Sequence, residues 1–516
     1  MESGYDLTPN IPEFINLADY CLDARVREGR GGRRALVTDA GDFTYAAVQR
    51  RANRYASVLR AAGVEPEQRV LIALGDGLDW VATFFATLKL GAVVVMANPG
   101  LKKDEIEYFL EYTRAKVVVT EPGSAALFRE AGATLKTLRE VLVIGEDAFD
   151  GRLKTASDEF ENFNTHRDDA AIWLFSGGTT GRPKGVVQTH RSFINTTELY
   201  AKGALGYVES DITLSVPKLF FGYATGSNLI FPFSVGATAI LFAEKCTPEA
   251  LFAQISRHRP TVLINVPTMV HQMTSHVDAP KQDLGCLRAT TSAGEALSEE
   301  LYRRWQKQFG VPLLDGLGTA EMWHIFLTNT TSHVRPGSLG LGVPGFDVRV
   351  CDDDGKELPR GDTGFLWVRG ASRAIAYWHE MDKTQQVFRG EWYASRDMVH
   401  QDEDGFFYYS GRDDDMLKVG GRWLAPAEVE NCLQQHSNVA EVAVVGVPDA
   451  QGLVKPWAYV VARSCPETAR ASFAEDLRAF ALTRLEPYKA PRQVVVLEAM
   501  PRTHLGKIDR GKLRKM

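Results

Sequence analysis

The stretch RVLIALGDGLDWVATFFATLKLGAVVVM, residues 69–96, decides the fold class of this 516-residue chain. It begins with the apolar run Arg69–Ala73, which is short enough for a buried strand. An apolar helix from about Leu78 to Leu90 follows, and Gly91 can adopt the left-handed conformation that often ends a helix. Ala92–Met96 is again short and rich in valine. Strand, helix and strand in this order form a βαβ unit, which implies parallel strands covered by helices.

The same alternation of strand and helix extends over the first ~340 residues, after which the pattern of predicted elements changes twice. Upstream of the βαβ unit, Thr44 is a candidate N-cap for a helix that runs to about Ala62 and ends at Gly63. Past Gly337, hairpin-like strands predict a small β-rich subdomain. Beyond the polar run at 411–415, the predicted order is helix, strand, strand, helix, strand. We therefore predict an α/β protein: a large N-terminal domain, residues 1–413, of stacked βαβ subdomains to about 340 and a β-barrel-like subdomain at about 341–413, hinged to a mobile α+β domain at 414–516. The strand-like runs are Lys116–Thr120, Val141–Ile144, Ala171–Phe175, Gly185–Gln188, Thr213–Val216, Thr238–Phe242, Thr261–Val266 and Ala289–Ser292.

Composition excludes several classes of protein. The chain carries 59 basic and 65 acidic residues, a net charge of −6, whereas nucleic-acid-binding proteins usually have a basic surplus. Its six cysteines are scattered, with no C-x-x-C pair, which favours free thiols in a reducing cytoplasm. The most apolar stretch, Trp80–Ala97, is interrupted by Lys89 and Gly91 and falls short of the ~20 residues that a membrane span needs. We expect a cytoplasmic protein with neither nucleic acid nor membrane as a partner.

The strongest local motif is SGGTTGRPKG, residues 176–185. Its glycines let the backbone turn tightly and approach an anion closely. Hydroxyl groups, backbone N–H groups and Lys184 then supply donors for phosphate oxygens. The motif is not a Walker loop, because it lacks the G-K-[ST] ending and a strand follows it instead of a helix. The phosphate-binding positions in it are Ser176, Gly177, Gly178, Thr179, Thr180, Gly181 and Lys184.

With this loop as the starting point, the chain resembles the adenylate-forming superfamily of acyl- and aryl-CoA ligases, peptide-synthetase adenylation domains and beetle luciferases. Five further segments match that family's motifs in the same order along some 330 residues. The resemblance implies binding of ATP and AMP by residues in the first four of them and a mobile lysine in the fifth. These segments are Ser292-Ala293-Gly294-Glu295, Asp315-Gly316-Leu317-Gly318-Thr319-Ala320-Glu321, Asp397, Ser410-Gly411-Arg412 and Leu505-Gly506-Lys507.

The resemblance also implies a division of catalytic labour. Lys507 and Lys184 would place positive charge where a carboxylate meets the α-phosphate, and Glu321 would hold Mg²⁺ on the phosphates. After adenylation, the small domain would rotate about a hinge at Asp414. Lys418, Gly420 and Gly421 would then line a channel for the pantetheine arm of coenzyme A. Loading of a carrier protein's arm is the alternative for this second step.

Two positions depart from the family pattern. Ala320 stands immediately before Glu321, where the family usually has threonine, and Thr319 precedes it. Arg396 replaces the glycine that usually stands before the ribose-binding aspartate, here Asp397. We expect the arginine either to change the local loop or to add positive charge near the nucleotide.

Three segments, residues 218–223 (KLFFGY), 292–297 (SAGEAL) and 321–326 (EMWHIF), carry a closer resemblance. In them the chain is most similar, within the superfamily, to benzoate–CoA ligases, and this similarity implies a flat pocket for an aromatic ring. Gly222 stands where those enzymes are expected to have alanine, so the missing methyl group would leave room for a ring substituent. Trp323 and His324 could add stacking or a hydrogen bond. We therefore predict benzoate or a small amino- or hydroxybenzoate such as anthranilate. Oxidative, luciferase-like use of the adenylate and non-catalytic nucleotide binding are weaker alternatives. The predicted pocket residues are Phe220, Gly222, Tyr223, Ala293, Gly316, Trp323, His324 and Ile325.

Overall fold

A computed structural model of the chain describes residues 9–177, 182–413, 416–419, 422–449, 452–502 and 508–516, with side chains at all of these except 418, 422 and 423. The architecture is α/β, as predicted, with two large sheets in the N-terminal part and separate, smaller sheets after residue 346. None of the described helices combines the length and apolar character needed to cross a membrane. All six cysteines are unpaired.

The first large sheet has nine strands in the order β15-β14-β13-β12-β11-β9-β10-β1-β2. Its six central strands run parallel, and antiparallel strands close both edges. The strands are β1 (Arg34–Thr38), β2 (Gly41–Thr44), β9 (Ile212–Ser215), β10 (Thr238–Ile240), β11 (Val262–Asn265), β12 (Ala289–Ser292), β13 (Leu313–Thr319), β14 (His324–Thr328) and β15 (Leu341–Gly342).

The second large sheet has seven strands in the order β18-β8-β7-β4-β3-β5-β6. The predicted βαβ unit lies at its centre, where β3 and β4 pair in parallel as expected. Its strand residues are almost all buried, which explains the unbroken apolar runs in the sequence. The strands are β3 (Arg69–Ala73), β4 (Val93–Met96), β5 (Val117–Thr120), β6 (Glu140–Val143), β7 (Ala170–Ser176), β8 (Lys184–Thr189) and β18 (Ala376–Tyr377).

Helices cover both large sheets, and their ends follow the sequence signals. Thr44 caps the first helix by accepting the amide N–H of Ala47, as predicted. Gly63 and Gly91, beyond the first and second helices, have φ of 83° and 68°, values that favour glycine. The helices of the N-terminal part are α1 (Tyr45–Ala61), α2 (Leu78–Lys89), α3 (Lys103–Thr113), α4 (Pro122–Gly132), α5 (Asp147–Thr155), α6 (His190–Thr196), α7 (Gly222–Thr225), α8 (Phe231–Val235), α9 (Pro248–His258), α10 (Pro267–Ser275), α11 (Glu299–Phe309) and α12 (Met381–Val387).

The β-rich segment forms a five-stranded antiparallel sheet in which β16 and β17 are the predicted hairpin. Its strands are β16 (Asp347–Cys351), β17 (Gly364–Arg369), β19 (Phe388–Arg389), β20 (Trp392–Gln401) and β21 (Phe407–Arg412). The C-terminal part contains the predicted helix, strand, strand, helix and strand, preceded by a short hairpin and followed by a short helix that were not predicted, and its three-stranded sheet packs on two helices. Its elements are β22 (Leu417–Val419), β23 (Arg422–Leu424), α13 (Pro426–Gln434), β24 (Val439–Pro448), β25 (Val454–Ala462), α14 (Arg470–Leu482), β26 (Gln493–Leu497) and α15 (Arg510–Leu513).

Candidate active site

The glycine-rich motif is the connection of an antiparallel hairpin between β7 and β8. Ser176 and Lys184 are directly opposed across this hairpin. The Ser176 hydroxyl is buried and has no hydrogen-bond partner among the described residues, so it is available to a ligand. Four predicted phosphate ligands, Gly178, Thr179, Thr180 and Gly181, lie outside the described residues. The hairpin therefore brings a hydroxyl and an ammonium group to the two ends of the predicted phosphate loop.

Two tyrosines of α3 anchor the base of this hairpin, and the sequence analysis did not identify them. The Tyr108 hydroxyl donates to the Pro183 carbonyl at 2.6 Å. The Tyr112 hydroxyl donates to the Trp378 carbonyl at 2.6 Å and accepts the Gly185 amide N–H at 3.1 Å. Because these contacts join segments 73 to 266 residues apart, no local sequence signal could have indicated them.

Glu321, the predicted magnesium ligand, is buried and held by two tyrosine hydroxyls. Tyr377 donates to Oε1 at 2.8 Å, and Tyr393 donates to Oε2 at 3.5 Å. Burial, reinforced by the Glu321 carboxylate, raises the pKa of both tyrosines, so both remain protonated donors. The Lys184 ammonium lies 4.6 Å from the centre of the Tyr377 ring. Burial lowers the pKa of Lys184, and the nearby Glu321 carboxylate opposes this shift. Lys184 and Glu321, predicted from separate motifs, thus meet around Tyr377.

The motif around Glu321 forms a tight turn between β13 and β14. A Cβ atom on Gly318 would lie 2.1 Å from the His324 carbonyl oxygen, and one on Gly316 would lie 2.6 Å from the Leu327 carbonyl oxygen. Glycine is therefore required where these strands approach each other. Trp323 and His324 follow Glu321 closely with φ of 42° and 76°, a left-handed conformation that is costly for such residues.

The departure at Ala320 leaves the turn intact. The Thr319 hydroxyl accepts the Met322 amide N–H at 3.2 Å, so it stabilises the turn itself. The Ala320 carbonyl accepts the Gln188 side-chain amide at 2.6 Å and thereby joins this turn to β8 of the second sheet. The backbone at 320 thus fixes Glu321 relative to the β7–β8 hairpin, which we call the phosphate hairpin because it carries the predicted phosphate loop.

The segment predicted to back the adenine follows β12. Ala293 is buried, and Gly294 has φ of 88°. The Glu295 carboxylate accepts both the backbone N–H and the hydroxyl of Thr268, at 3.1 and 2.7 Å. Asp315, at the matching point of neighbouring β13, is buried, and burial raises its pKa well above the ordinary value. These residues lie at the carboxyl ends of parallel strands, where α/β sheets usually bind ligands.

The two predicted ribose contacts lie directly opposite each other, since Asp397 on β20 pairs with Arg412 on β21. Ser395 donates to the Asp397 carboxylate at 2.7 Å. The departure at Arg396 has a clear structural outcome. Its guanidinium binds Asp413 through two contacts, Nε to Oδ1 at 2.8 Å and Nη2 to Oδ2 at 2.7 Å. Arg396 therefore ties β20 to the residue that precedes the predicted hinge.

Two residues of the predicted aryl pocket, Gly222 and Tyr223, lie against strands of both large sheets. The Tyr223 hydroxyl donates to the Thr291 hydroxyl of β12 at 2.7 Å. A Cβ atom on Gly222 would lie 3.2 Å from Leu174 Cδ2 on β7 and 3.6 Å from Trp323. Leu174 and Trp323 therefore border the volume that a methyl group at position 222 would take, and its use by a ring substituent stays a prediction. Phe220 is partly buried, Ile325 is buried and Phe221 is 39% exposed.

His324 is enclosed by aromatic side chains, with ring centres of Tyr200, Tyr223 and Phe231 at 5.5, 5.2 and 4.7 Å. Its Nε2 lies 3.0 Å from both the Tyr223 carbonyl oxygen and the Ser227 hydroxyl. Burial lowers the pKa of His324 to about 3, so the ring is neutral. Since a carbonyl only accepts, Nε2 carries the hydrogen and Nδ1 is a bare acceptor. Nδ1 is buried and has no partner among the described residues.

Several predicted residues lie outside the described part of the chain: Lys507, the hinge residue Asp414, and Gly420 and Gly421 of the predicted coenzyme A channel. The side chain of Lys418 is likewise not described. A single carboxylate such as Glu321 fits Mg²⁺, which usually takes one or two protein carboxylates together with substrate phosphates. No group of three or more His, Cys, Asp or Glu side chains in the described ranges could hold a metal by itself.

Comparison with known proteins finds matches to one enzyme family over most of the chain. Residues 22–378 match the AMP-binding enzyme family, and residues 428–507 match the AMP-binding enzyme C-terminal domain. The benzoate–CoA ligase of Thauera aromatica is 42% identical over 98% of this chain and 96% of its own length. The structure of the anthranilate CoA ligase AuaEII with anthranoyl-AMP superposes with a TM-score of 0.93 at 36% identity, over 99% of this chain and 98% of its own. That of a benzoate CoA ligase from Burkholderia xenovorans LB400 gives 0.88 at 39% identity, over 97% and 100%.

Proposed function

Since this chain is a member of the AMP-binding enzyme family, we propose that it joins a small aromatic carboxylic acid to coenzyme A in two steps. In the first, the acid's carboxylate oxygen attacks the α-phosphorus of ATP, and pyrophosphate leaves. In the second, the thiol sulfur attacks the acyl carbon, AMP leaves, and the thiol proton passes to the solvent. The products are an aryl-CoA thioester, AMP and pyrophosphate.

The observation that carries this proposal is the position of Gly222 and Tyr223. Gly222 lies against Leu174, two residues before the Ser176 end of β7. Tyr223 bonds Thr291, one residue before the Ser292 end of β12. The ring-binding segment thus lies between the strand that leads to the phosphate hairpin and the strand that leads to the adenine segment. An acid bound there would present its carboxylate to the α-phosphate, and positioning of this kind can supply much of a rate enhancement.

Charge placement explains the first step. A carboxylate and a phosphate repel each other, so positive charge must be held where they meet. Lys184 supplies one such charge from the hairpin, and Lys507 would supply a second from the C-terminal domain. Bound to Glu321, Mg²⁺ would neutralise phosphate charge. Tyr377 and Tyr393 hold the Glu321 oxygens in place before any ligand arrives, which is the condition for effective electrostatic catalysis.

The bare acceptor of His324 favours a ring that carries a hydrogen-bond donor. An unpaired buried acceptor costs about 1–3 kcal/mol, and an amino or hydroxyl group on the substrate would remove that cost. An aromatic acid without a donor leaves Nδ1 unpaired. We therefore place amino- and hydroxybenzoates, anthranilate among them, ahead of benzoate as substrates.

The acceptor in the second step is coenzyme A in this proposal, with the C-terminal domain rotating about Asp414 so that Lys418, Gly420 and Gly421 line the thiol channel. The similarity to named CoA ligases over nearly the whole chain supports free coenzyme A. A carrier protein remains the alternative acceptor, and it would use the same first step.

Product analysis with ATP, Mg²⁺ and a panel of benzoates, with and without coenzyme A, tests the proposal. We expect acid-dependent AMP and pyrophosphate, an aryl-CoA when coenzyme A is present, and the highest kcat/KM for an amino- or hydroxybenzoate. Adenylate without an aryl-CoA product would point to a carrier protein. ADP, or turnover independent of the acid, would refute the adenylation step, and a preference for short fatty acids would refute the aryl pocket.

A further inference from the structure

A polar cleft of about 390 Å³ opens where the N-terminal part meets the C-terminal domain. None of the nucleotide-binding or ring-binding residues discussed above lines it. Helices α10 and α11 provide one wall, and the end of α13 with the turn after β25 provides the other. The lining consists of Thr274, Ser275, Glu300, Arg304, Gln434, Gln435, His436, Ser437 and Arg463. Amide, hydroxyl, imidazole and guanidinium groups therefore face one shared space, with Glu300 as the single carboxylate.

Arg304 on α11 is the cationic group of the first wall. It is only loosely neutralised, since its contact with Glu300 is 3.5 Å long and the Glu300 side chain is 43% exposed. Arg304 Nη1 also lies 3.4 Å from His271 Nδ1. Burial, with the positive charges of Arg304 and Arg463, lowers the pKa of His271 to about 4. Both guanidinium groups are therefore close enough to act on the same imidazole, which stays neutral at pH 7.

Arg463 is the cationic group of the second wall, and its backbone is fixed. The Arg463 amide N–H donates to the Asn438 carbonyl at 2.9 Å, and the Asn438 side chain bonds both backbone groups of Ser464 at 2.8 and 3.1 Å. The Arg463 guanidinium makes no hydrogen bond or ion pair with any residue that the structure describes. An arginine held on a fixed turn without a partner is poised for an anion.

The charges across the cleft do not balance. Burial and the positive charge of Arg304 lower the pKa of Arg463, while Glu300 opposes the shift. Two guanidinium groups thus face one partly exposed carboxylate, which leaves an excess positive charge between the domains. The planar guanidinium fork matches phosphate oxygens and can bind them in pairs.

We propose that this cleft, formed jointly by Arg304 and Arg463, binds a phosphate-type oxyanion outside the active site. The oxyanion would accept from Arg304 on one wall and Arg463 on the other, with Gln434, Gln435 and Ser437 as neutral donors. Free inorganic phosphate and the pyrophosphate released by the proposed reaction share this chemistry. The cleft's volume is compatible with either ion.

The site also links anion binding to domain position, a consequence that rests on the domain rotation proposed above. Because the two arginines come from different domains, the complete site exists only in the arrangement described here. An anion that binds one arrangement better than another shifts the population toward it. Phosphate would therefore stabilise this arrangement against the alternative that follows rotation.

Calorimetric titration of the full-length protein with inorganic phosphate, and separately with pyrophosphate, tests the site. A Lys184→Ala background removes one cation from the phosphate hairpin and so weakens anion binding at the nucleotide site. In that background we expect Arg304→Ala and Arg463→Ala each to weaken phosphate binding at least about tenfold, as expected for loss of a charge-assisted hydrogen bond. The matched control is Arg303→Ala, the adjacent residue, whose side chain is 70% exposed and pairs with Glu299. It should leave the affinity unchanged.

Unchanged binding in Arg304→Ala and Arg463→Ala, or binding that disappears with Lys184→Ala alone, would overturn the proposal by assigning the anion to the nucleotide site. Arg463→Lys keeps the charge without the fork and should lose part of the affinity even if Arg463→Ala fails to fold. Tighter binding of pyrophosphate than phosphate would identify the reaction product as the source, and the reverse would identify free phosphate. Small-angle scattering should show phosphate shifting the wild type, but not Arg463→Ala, toward the arrangement described here.

Discussion

The Tyr377 hydroxyl donates a 2.8 Å hydrogen bond to Oε1 of Glu321, and its ring lies 4.6 Å from the Lys184 ammonium. One side chain therefore contacts both the predicted metal ligand and the lysine of the phosphate hairpin. Tyr377 lies on β18, which pairs with β8, the strand that begins at Lys184. The sheet thus fixes Tyr377 relative to Lys184, and the Tyr377 hydroxyl in turn holds the Glu321 carboxylate.

Replacing Tyr377 by phenylalanine should raise the Mg²⁺ concentration needed for half-maximal adenylation by about tenfold or more, since a hydrogen bond to a charged group contributes about 1.5–3 kcal/mol. The measurement is ATP–pyrophosphate exchange at a series of Mg²⁺ concentrations. Tyr393→Phe is the matched control, because its contact with Glu321 is longer, at 3.5 Å, and should matter less. A loss that saturating Mg²⁺ does not reduce would mean that Tyr377 does not act through Glu321.

Lys507→Ala should slow aryl-adenylate formation by ~10²–10³ while leaving thioester formation from supplied aryl-adenylate within about twofold of wild type. The reason is that its charge is needed where the two anions meet and not where the thiol attacks. Single-turnover assays of each half-reaction measure both effects. Lys515→Ala, in the same basic tail, is the control. An equal fall in both half-reactions would rule out this division of labour.

Arg396→Ala should alter the balance of the two half-reactions with little effect on stability. The pair with Asp413 is partly exposed, the arginine side chain at 53%, so it contributes at most about 1 kcal/mol to the fold. Asp413 nevertheless immediately precedes the predicted hinge residue in the sequence, so we expect the pair to restrain the start of the predicted linker. We expect a change of up to about fivefold in the ratio of thiol-transfer to adenylation rates. A double-mutant cycle with Asp413→Ala should show non-additivity; additive effects would argue against the pair as a restraint on the linker.

Gly222→Ala should lower kcat/KM for amino- and hydroxybenzoates more than for benzoate. The ratio of the two values should fall by about tenfold. The added methyl group would press on Leu174 Cδ2, 3.2 Å away, and push it toward the ring. Differences of one methyl group in apolar pockets are commonly about 1–3 kcal/mol. Leu174→Ala combined with Gly222→Ala should restore the ratio. Identical losses for every acid would show that position 222 does not border the ring.

Asp76→Asn should remove a pH dependence of stability. Burial raises the pKa of Asp76 to about 6, opposed by the hydrogen bond from the Leu219 amide and by Lys218. Since the folded value exceeds the unfolded one, the wild type loses free energy of unfolding as pH rises from about 4 to about 6, on the order of 3 kcal/mol, and the loss persists above that range. In thermal unfolding, the midpoint temperature of the variant relative to that of the wild type should be higher at pH 7.5 than at pH 4.5. An equal difference in midpoint temperature between variant and wild type at both pH values would refute the assignment of this pH dependence to Asp76.

The sequence could predict those features that depend on local chemistry. The range Arg69–Ala73 for β3 is the one observed, and the Thr44 cap was found because a capping hydroxyl leaves a local signal. The family resemblance implied that Asp397 and Arg412 contact the same ribose, and so lie close together. The pairing of their strands places them directly opposite each other.

Features that depend on distant partners could not be predicted. Tyr112 bonds a carbonyl 266 residues away, and nothing around it in the sequence indicates that role. The left-handed backbone at Trp323 and His324 contradicts the preference of both residues, so packing against Phe193 and Tyr200 must stabilise it. Leu174, which borders the volume beside Gly222, likewise comes from a distant strand, so the sequence could not indicate this neighbour.

The pairing of Asp397 with Arg412 has one more consequence, since β21 ends at Arg412, two residues before the predicted pivot at Asp414. The two predicted ribose contacts and the residues that lead into the predicted linker thus belong to a single ladder of backbone hydrogen bonds. If one arrangement of the C-terminal domain strains this ladder and so binds ATP less tightly by some factor, thermodynamic reciprocity requires that ATP shift the equilibrium between the arrangements by the same factor. Substitutions that favour one domain arrangement at equilibrium are consequently expected to change the nucleotide affinity as well.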